Sequence, residues 1–445
     1  MLVVLLALGL LLLAAMAAEK TYSSPVLNAN TKDRKRMPVW RKWTILILLL
    51  SPIWLGLVYL LPLSTEIWAS FAGRGTYLAA LQSMNVFTQN SLQLSMTPDA
   101  TWAALLSSVP VVALFCVALT ANKKTIKSLL MVVLVAATVQ VLLSVFQLAF
   151  GADSFFYFDL KVGGSVVGSF ANRNHLANFL VLALPICVYI FFDQSKKKKT
   201  NRLSSNVHSR KQIILPFILF LGFAYLLILL ATLSRGGLVS GFIALGMSIC
   251  IYLLALGGKT TSKQRFAYLT LACVLVVLAI SASGLEGIQS RLGERLLTDA
   301  DVRNTISSAT LNAAWQFWPW GSGVGSFEAV FPRFQPAINL GSLAYVEYAH
   351  NDYAQILMEL GAAGVALMTA VVVLFVYQVI SFIDIYRVEK RLSSNLVMQC
   401  FCGISLVAFL LHCWVEFNMH IPALAMTAAF LAGVFLRTPT LSKSH

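Results

Sequence analysis

The chain has 445 residues, of which 58% are hydrophobic and 11% are charged, and its mean hydropathy is +0.78. A water-soluble globular domain carries about 25% charged residues. This composition therefore excludes a water-soluble globular protein and predicts a membrane protein. The formal net charge is +15, from 33 Lys and Arg against 18 Asp and Glu.

Apolar windows long enough to cross a bilayer, about 17 to 25 residues, recur along the chain. Such long runs predict helices, because the strands of a membrane barrel alternate over only about ten residues. We expect an all-α inner-membrane bundle of about 11 or 12 transmembrane helices, with one large periplasmic loop that contains short helices. The windows are 1–18, 44–62, 101–119, 128–150, 176–193, 213–232, 236–256, 266–282, 361–383, 397–414 and 421–437.

The first window resembles a cleavable signal peptide, because Ala15-Met16-Ala17 offers a small-residue cleavage site. No positive charge precedes the apolar run, however, and cleavage would reverse the side of every later loop. We therefore expect an uncleaved first span with its N-terminus outside.

The basic residues divide unequally between the two sides of the predicted bundle. Loops on alternate sides of the membrane hold 25 and 8 of the 33 Lys and Arg, and the richer set includes Lys196–Lys199. The positive-inside rule makes the richer side cytoplasmic, so we interpret the net charge as a topology signal and expect no nucleic acid partner. The eight basic residues on the periplasmic side are Arg74, Lys161, Arg173, Arg235, Arg291, Arg295, Arg303 and Arg333.

A long polar segment interrupts the apolar windows. Residues 283–360 are rich in arginine and aromatic residues, and they divide the chain into three regions. We expect N-terminal transmembrane helices in 1–282, a large periplasmic loop carrying the catalytic residues in 283–360, and C-terminal helices with a short cytoplasmic tail in 361–445. Few ionisable residues lie deep in the predicted spans, which disfavours a channel or a proton pump.

Two helices are predicted within this loop. The first covers about Val302–Phe317, with Asp301 as its N-cap. Arg303 would then lie in the first turn, where exposed amides and the helix dipole also favour an anion. The second helix is predicted from Asn351 through Glu359.

Arginine at a helix junction is the strongest single signal. Arg235 lies in the tight turn 234–237 between two spans, followed by two glycines that permit a close backbone approach or a strained turn. It could hold an anionic headgroup bidentately, or it could snorkel to lipid phosphate. Arg303, with Arg291 and Arg295 as alternates, could supply a second cation for a pyrophosphate. The alternative for Arg291 and Arg295 is a solvated helix face.

His350 is the only histidine in the loop. Imidazole suits proton transfer near neutral pH, so His350 could deprotonate an attacking hydroxyl. Asn351 and Asp352 lie beside it and could position the ring or a sugar. The alternative is a histidine with a structural role.

Two patterns could hold a metal ion, and both are weak. Asp299-Ala300-Asp301 matches the short D-x-D pattern of some glycosyltransferases, but helix capping also explains Asp301. His412, Glu416 and His420 would share one face only if a helix continued towards Pro422. We expect no metal and no cofactor.

Several motifs follow one another in a recognisable order between about residues 160 and 435. They are Gly168–Asn174, Ser234-Arg235-Gly236, Arg303, Pro319, Gly321-x-Gly323-x-Gly325-x-Phe327, His350-Asn351-Asp352 and Glu359-x-Gly361-x-x-Gly364. This ordered set resembles the bacterial O-antigen ligase and O-antigen polymerase superfamily, which includes the protein O-oligosaccharyltransferases.

The resemblance implies a metal-independent, inverting glycosyltransferase whose donor is a glycan on undecaprenyl pyrophosphate. It implies that Arg235 and Arg303 bind the pyrophosphate and that His350 activates the acceptor hydroxyl. It also implies a site at the periplasmic face of the bacterial inner membrane, in contact with membrane lipids. Possible supporting residues are Arg173, Asn174, Asn351, Asp352 and Glu359.

The acceptor stays open at this point. Lipid A core would make the protein a ligase in lipopolysaccharide assembly, a growing polysaccharide would make it a polymerase, and a protein Ser or Thr would make it an oligosaccharyltransferase. A non-enzymatic alternative is a polysaccharide exporter, which needs a continuous polar path or internal symmetry. The sequence shows neither of these features.

Overall fold

Long apolar helices make up most of the structure, a computed structural model. It describes residues 38–84, 90–151, 154–158, 165–196, 205–256, single positions and short runs between 261 and 274, 295–335, 345–390 and 392–439. The predicted first span 1–18, most of the predicted span 266–282 and the candidate Arg291 lie outside the described residues.

The described elements follow in chain order. The α-helices are α1 (Val39–Tyr59), α2 (Thr65–Ser70), α3 (Gly75–Ser83), α4 (Pro98–Thr120), α5 (Lys123–Phe150), α6 (Arg173–Lys196), α7 (Ser205–Ala231), α8 (Arg235–Leu256), α9 (Arg295–Gln316), α10 (Phe327–Val330), α11 (Asp352–Leu360), α12 (Ala362–Glu389), α13 (Ser394–His412) and α14 (Pro422–Phe435). Short 3-10 helices are Phe155–Tyr157, Phe331–Phe334 and Asn418–His420. Strands β1 (Pro62–Ser64) and β2 (Ser91–Gln93) pair antiparallel, with Leu63 opposite Leu92.

Eight of the described helices are long and apolar enough to cross a membrane, namely α1, α4, α5, α6, α7, α8, α12 and α13. They confirm eight of the predicted windows and the all-α membrane fold. The predicted window 421–437 forms the shorter α14, with 14 residues. At 1.5 Å per residue, α14 is about 21 Å long, less than the roughly 30 Å of a hydrocarbon core.

The chain folds as two units, each discontinuous in sequence. The first unit takes its described residues from 1–113, 289–377 and 413–419. The second takes them from 114–288, 378–412 and 420–445. The predicted three-part division of the sequence groups residues by hydropathy, whereas these units group them by packing.

The first unit has an aromatic core beneath the polar loop. Helix α9 packs against α11, and both contribute to a cluster that includes Ile306, Phe317 and Met358. Phe327 and Phe331 stack within the same cluster with ring centroids 4.7 Å apart. The polar loop is therefore a packed structure in its described part, because its helices bury a common apolar face.

The second unit is organised around α6. This helix packs against α7, α8 and α13, and 89% of its apolar window is buried. Helices α5 and α7 instead bury 28% and 22% of theirs. Their exposed apolar faces suit a lipid solvent, in which backbone groups are satisfied within each helix.

The prediction for the first loop helix was wrong at its start. Helix α9 begins at Arg295, not at Val302, and it ends at Gln316. No glycine or proline occurs in 295–301, so nothing in that stretch stops the helix. Asp301 therefore lies inside the helix and is not its N-cap, and Arg303 lies about two turns from the start. The exposed amides at the start of α9 therefore do not assist Arg303 in binding an anion.

A candidate active site around His350

His350 immediately precedes helix α11, and its backbone is fixed on both sides. Its own φ is +49°, in the left-handed region. On one side, the Ala349 N–H donates to Oε1 of Gln355 at 3.1 Å. On the other, Asn351 caps α11, because its side-chain oxygen accepts from the N–H groups of Tyr353 and Ala354. The predicted start of this helix at Asn351 is confirmed to within one residue.

The ring of His350 is held by a buried carboxylate. Oε1 of Glu416 lies 2.7 Å from Nδ1 of His350, and the Glu416 side chain has no exposed surface. The ring of Phe417 meets the imidazole edge to face at 4.9 Å, and Tyr348 stacks on Phe417 at 4.4 Å. Burial raises the pKa of the Tyr348 hydroxyl, so Tyr348 stays uncharged at neutral pH. The ring of His350 is therefore hydrogen-bonded to Glu416 and packed against Phe417, with 24% of the side chain exposed.

Arg303 is the second partner of Glu416. Its Nη1 lies 3.3 Å from Oε2 of Glu416, while a third of the arginine side chain remains exposed. Helix α9 is tied to the start of α11 as well, since Nδ2 of Asn351 donates to Oγ of Ser307 at 3.1 Å. Arg303 and Ser307 are four residues apart and share a helix face, so α9 presents its arginine and its hydroxyl to the same site.

The contact with Glu416 orients the imidazole of His350. A carboxylate accepts hydrogen bonds, so Nδ1 is the donor in this contact. In the neutral tautomer that donates from Nδ1, Nε2 carries a lone pair. Arg303 supplies the positive charge that a buried carboxylate requires. An imidazole that donates to a carboxylate is chemically suited to act as a general base.

Asp352 holds the segment that carries Glu416. Its backbone N–H donates to the Cys413 carbonyl at 3.0 Å, and its Oδ2 accepts from the Met419 N–H at 3.0 Å. The side chain of Asp352 is fully buried. Both ends of the segment 413–419 are therefore fastened to the first turn of α11, beside His350.

Glu359 lies at the other end of α11 and binds backbone. Its carboxylate accepts from the N–H groups of Gly325 at 2.9 Å and Phe327 at 3.3 Å. It also accepts from Nε2 of Gln355 at 3.1 Å, and Gln355 is the residue that holds Ala349. A continuous hydrogen-bonded chain thus runs from the glycine-rich loop to the residue before His350.

The glycine-rich loop, residues 318–326, is bound through its carbonyls. Tyr59 donates its hydroxyl to the Trp320 carbonyl at 2.5 Å, and Thr101 donates to the Val324 carbonyl at 2.7 Å. Arg74 is fully buried and donates to the Gly321 carbonyl at 3.0 Å and to that of Leu94. Burial lowers the pKa of Arg74 to about 10, so the guanidinium is still charged at neutral pH.

Two glycines of this region require their lack of a side chain. Gly321 has φ +74°, and a Cβ there would lie 2.3 Å from the Glu359 carbonyl oxygen. Gly361 has φ +54°, and a Cβ there would lie 2.2 Å from the Pro319 carbonyl oxygen. The loop and the end of α11 therefore approach each other at backbone distance, which only glycine allows.

The second unit contains the other predicted arginine. Arg235 is the first residue of α8, and Ser234 precedes it as a buried residue whose Oγ accepts from the Gly237 N–H at 3.3 Å. Nη2 of Arg235 is buried and has no hydrogen-bond partner among the described residues. Gly237 gives the expected close approach, since a Cβ there would lie 2.6 Å from that of Ala177. The strained position is not a glycine but Leu233, with φ +52°.

Arg173 and Asn174 also lie in the second unit, at the start of α6. Nη1 of Arg173 lies 3.4 Å from Oγ of Ser165, and Asn174 is 5% exposed. The Asn174 N–H donates to Oδ1 of Asn172, which caps the helix. These two residues are placed in the structure as part of a capped helix start.

The metal patterns gain no support from the helix geometry. Asp299 and Asp301 lie two residues apart within α9, and side chains at that spacing do not face each other. Their side chains lie outside the described residues. Helix α13 ends at His412, so His412, Glu416 and His420 do not share a helix face. Glu416 instead binds His350 and Arg303.

The fold and the site define a class of protein. The helices are those of a multi-pass membrane protein, and its first unit carries a histidine paired with a buried carboxylate beside an arginine. The family model described as O-antigen ligase matches residues 217–369, about a third of the chain. The match confirms the resemblance to the O-antigen ligase superfamily over this range, and it points to an enzyme of the glycosyltransferase type. No curated protein matches the chain.

Arg235, Arg303 and His350 fall inside the matched range, whereas Glu416 falls outside it. Sequence reasoning considered Glu416 only as a metal ligand and missed it as the partner of His350. One signal was available: Glu416 is an acidic residue directly after a predicted span, and a buried carboxylate needs cationic or donor partners. Nothing in the sequence singled out His350 as that partner.

Proposed function

We propose that the protein transfers a glycan from undecaprenyl pyrophosphate to an acceptor hydroxyl, at the periplasmic face of the bacterial inner membrane. The observation that carries this proposal is the 2.7 Å contact between Nδ1 of His350 and Oε1 of Glu416. In the tautomer that donates to this carboxylate, Nε2 can accept a proton. The family match supports the glycosyltransferase class. The unequal division of the 33 Lys and Arg supports the orientation.

The proposed reaction is a single displacement. Nε2 of His350 takes the proton of the acceptor hydroxyl while the oxygen attacks the anomeric carbon of the donor glycan. The bond between that carbon and the phosphate oxygen breaks, and undecaprenyl pyrophosphate leaves with the bonding electrons. Attack from the face opposite the leaving group inverts the anomeric configuration. The proton remains on His350, and Glu416 stabilises the resulting imidazolium. Water then removes the proton.

The leaving pyrophosphate needs cations, because charge develops on its oxygen as the bond breaks. Arg303 is proposed to bind it, since a third of its side chain remains exposed while Nη1 contacts Glu416. Arg235 is proposed as a second donor-binding arginine, because it has a buried Nη2 with no hydrogen-bond partner in the described part of the chain. Asn351, Asp352 and Glu359 act as positioning residues through the backbone contacts of α11.

The test uses purified protein in lipid nanodiscs with lipid-linked oligosaccharide extracted from membranes of the native host. Lipid A core, a lipid-linked polysaccharide and a Ser- and Thr-containing protein are offered in parallel as acceptors. Glycosylation of one of them identifies ligase, polymerase or oligosaccharyltransferase activity, and transfer should persist in excess EDTA. Failure with all three, by protein that binds the donor, would contradict the proposal.

His350→Ala and His350→Gln test the general base. The glutamine amide can still contact Glu416 but cannot accept a proton as imidazole does. Both variants should bind donor normally and lose transfer by about 10²- to 10⁴-fold. Loss of donor binding in step with transfer would indicate a structural role instead.

A further inference from the structure

An open groove with polar and apolar lining residues runs along helix α9 in the first unit. Its volume is about 540 Å³, within the range of about 300 to 1,000 Å³ of small-molecule sites. Its described lining residues are Asn304, Thr305, Ser308, Ala309, Asn312 and Phe334. None of these lining residues is charged.

The polar lining residues follow the helix axis. Asn304, Ser308 and Asn312 are exposed and spaced four residues apart, so they form one stripe on a helix face. The stripe is about 12 Å long, from eight residues at 1.5 Å each. Its first member, Asn304, follows Arg303 in the sequence, and consecutive helix residues point about 100° apart. The groove therefore lies on the face of α9 next to the one that carries Arg303 and Ser307.

The chemistry of the lining fits a sugar. Each asparagine amide offers two N–H donors and a carbonyl acceptor, and a serine hydroxyl offers both functions. Neighbouring sugar hydroxyls present the same mixture of donors and acceptors.

The groove has a fixed apolar side. Phe334 meets Phe317 edge to face at 6.0 Å, and Ala309 is part of the same buried cluster. An aromatic face offers an apolar surface for the C–H groups of a sugar ring. The stripe itself is rigid, because α9 buries Ile306 and Ala313 in this cluster on its other side.

We propose that this groove binds the sugar residues of a substrate glycan and thereby selects the glycan that reaches His350. The proposal rests on the proposed glycosyl transfer and names the part of the substrate that α9 recognises. Uncharged sugars could come from the donor or from the acceptor, and their affinities are measured separately.

The test compares the double variant Asn304→Ala/Asn312→Ala with Gln316→Ala, an exposed polar residue of the same helix outside the groove. The probes are lipid-linked oligosaccharide from the native host, undecaprenyl pyrophosphate without sugar, and the same oligosaccharide released from its lipid. The double variant should lose about tenfold or more in affinity for the glycosylated lipid, as two lost hydrogen bonds imply. Its affinity for the lipid without sugar and its melting temperature should not change.

The acceptor arm measures the KM for the acceptor identified in the transfer assay. A loss confined to donor binding assigns the groove to the donor glycan, and a rise confined to acceptor KM assigns it to the acceptor glycan. Equal affinities and equal KM in the double variant and the wild type would overturn the groove proposal, even if transfer occurs. The opposite result is also informative. If the protein transfers nothing but binds the released oligosaccharide through these asparagines, the groove proposal stands and the proposed function is overturned.

Discussion

Nδ1 of His350 lies 2.7 Å from Oε1 of Glu416, across 66 residues of chain. Asp352 makes this contact possible, because it fastens both ends of the segment 413–419 to the start of α11. The base and its carboxylate are thus positioned by the same helix turn.

Glu416→Gln should slow transfer without removing donor binding. The amide has nearly the shape of the carboxylate but carries no charge, so the imidazolium formed during transfer is less stable. A hydrogen bond to a charged group contributes about 1.5 to 3 kcal/mol, which predicts a loss of kcat of roughly 10- to 150-fold. The measurement is kcat, with donor affinity and melting temperature recorded beside it.

Donor affinity and melting temperature separate the orientation of His350 from folding. If Glu416 orients His350 and stabilises its imidazolium, kcat falls while donor affinity and melting temperature stay at their wild-type values. A variant that loses donor affinity and melting temperature together with kcat would show that Glu416 serves only the packing of the site.

Arg303→Ala and Arg303→Lys should both weaken the binding of undecaprenyl pyrophosphate. Lysine keeps the charge but cannot offer two parallel N–H groups to a phosphate. We expect about a 10-fold or greater loss of affinity for the alanine variant and a smaller loss for lysine. Isothermal titration with undecaprenyl pyrophosphate in nanodiscs measures it. Unchanged affinity, with lost transfer, would restrict Arg303 to supporting Glu416.

Arg235→Ala should abolish or nearly abolish transfer while the protein still reaches the membrane. Its Nη2 is buried without a hydrogen-bond partner among the described residues, so removing it breaks no observed hydrogen bond of that atom. Arg235→Lys should also be impaired, because the point charge of lysine does not replace the two parallel N–H groups of a guanidinium. Full activity of Arg235→Ala, measured by glycan transfer in cells, would remove this residue from the donor site.

Gly321→Ala should destabilise the protein more than Gly151→Ala does. Both glycines have φ near +80°, but a Cβ at Gly151 meets nothing within 4 Å, whereas one at Gly321 meets the Glu359 backbone. The strained backbone alone costs about 1 to 3 kcal/mol, and the collision adds to it. Thermal unfolding in detergent compares the two variants. Equal melting temperatures would show that the loop moves away without cost.

Cysteine labelling tests the orientation. Gln316→Cys, at the exposed end of α9, should react with a membrane-impermeant maleimide on intact spheroplasts. Lys124→Cys, at the exposed start of α5, should react only after lysis. The wild type, with its seven cysteines, serves as the background. The reverse pattern would place His350 in the cytoplasm and contradict the proposed donor.

Hydropathy and local capping were sufficient for much of the fold. Eight apolar windows became membrane-length helices, because in lipid a long apolar run satisfies its backbone only as a helix. Asn351 was recognisable as the start of α11, because capping depends on residues two and three positions away. The same local reasoning failed for α9. Asp301 is a good cap residue, but residues 295–300 contain no glycine or proline that would keep the helix from starting before it.

The partners of the candidate site were decided by tertiary structure. Glu416 was assigned in sequence to a possible metal face with His412 and His420, yet it binds His350 and Arg303. A charge as deeply buried as Glu416 must be compensated, but sequence does not say by which residues, because they come from α9, α11 and a later turn. Likewise, Arg74 appeared as one of eight periplasmic cations, and only packing turned it into a buried donor to the Gly321 carbonyl. Local sequence determines helices and caps through short-range contacts, whereas charge pairing depends on which distant segments the core brings together.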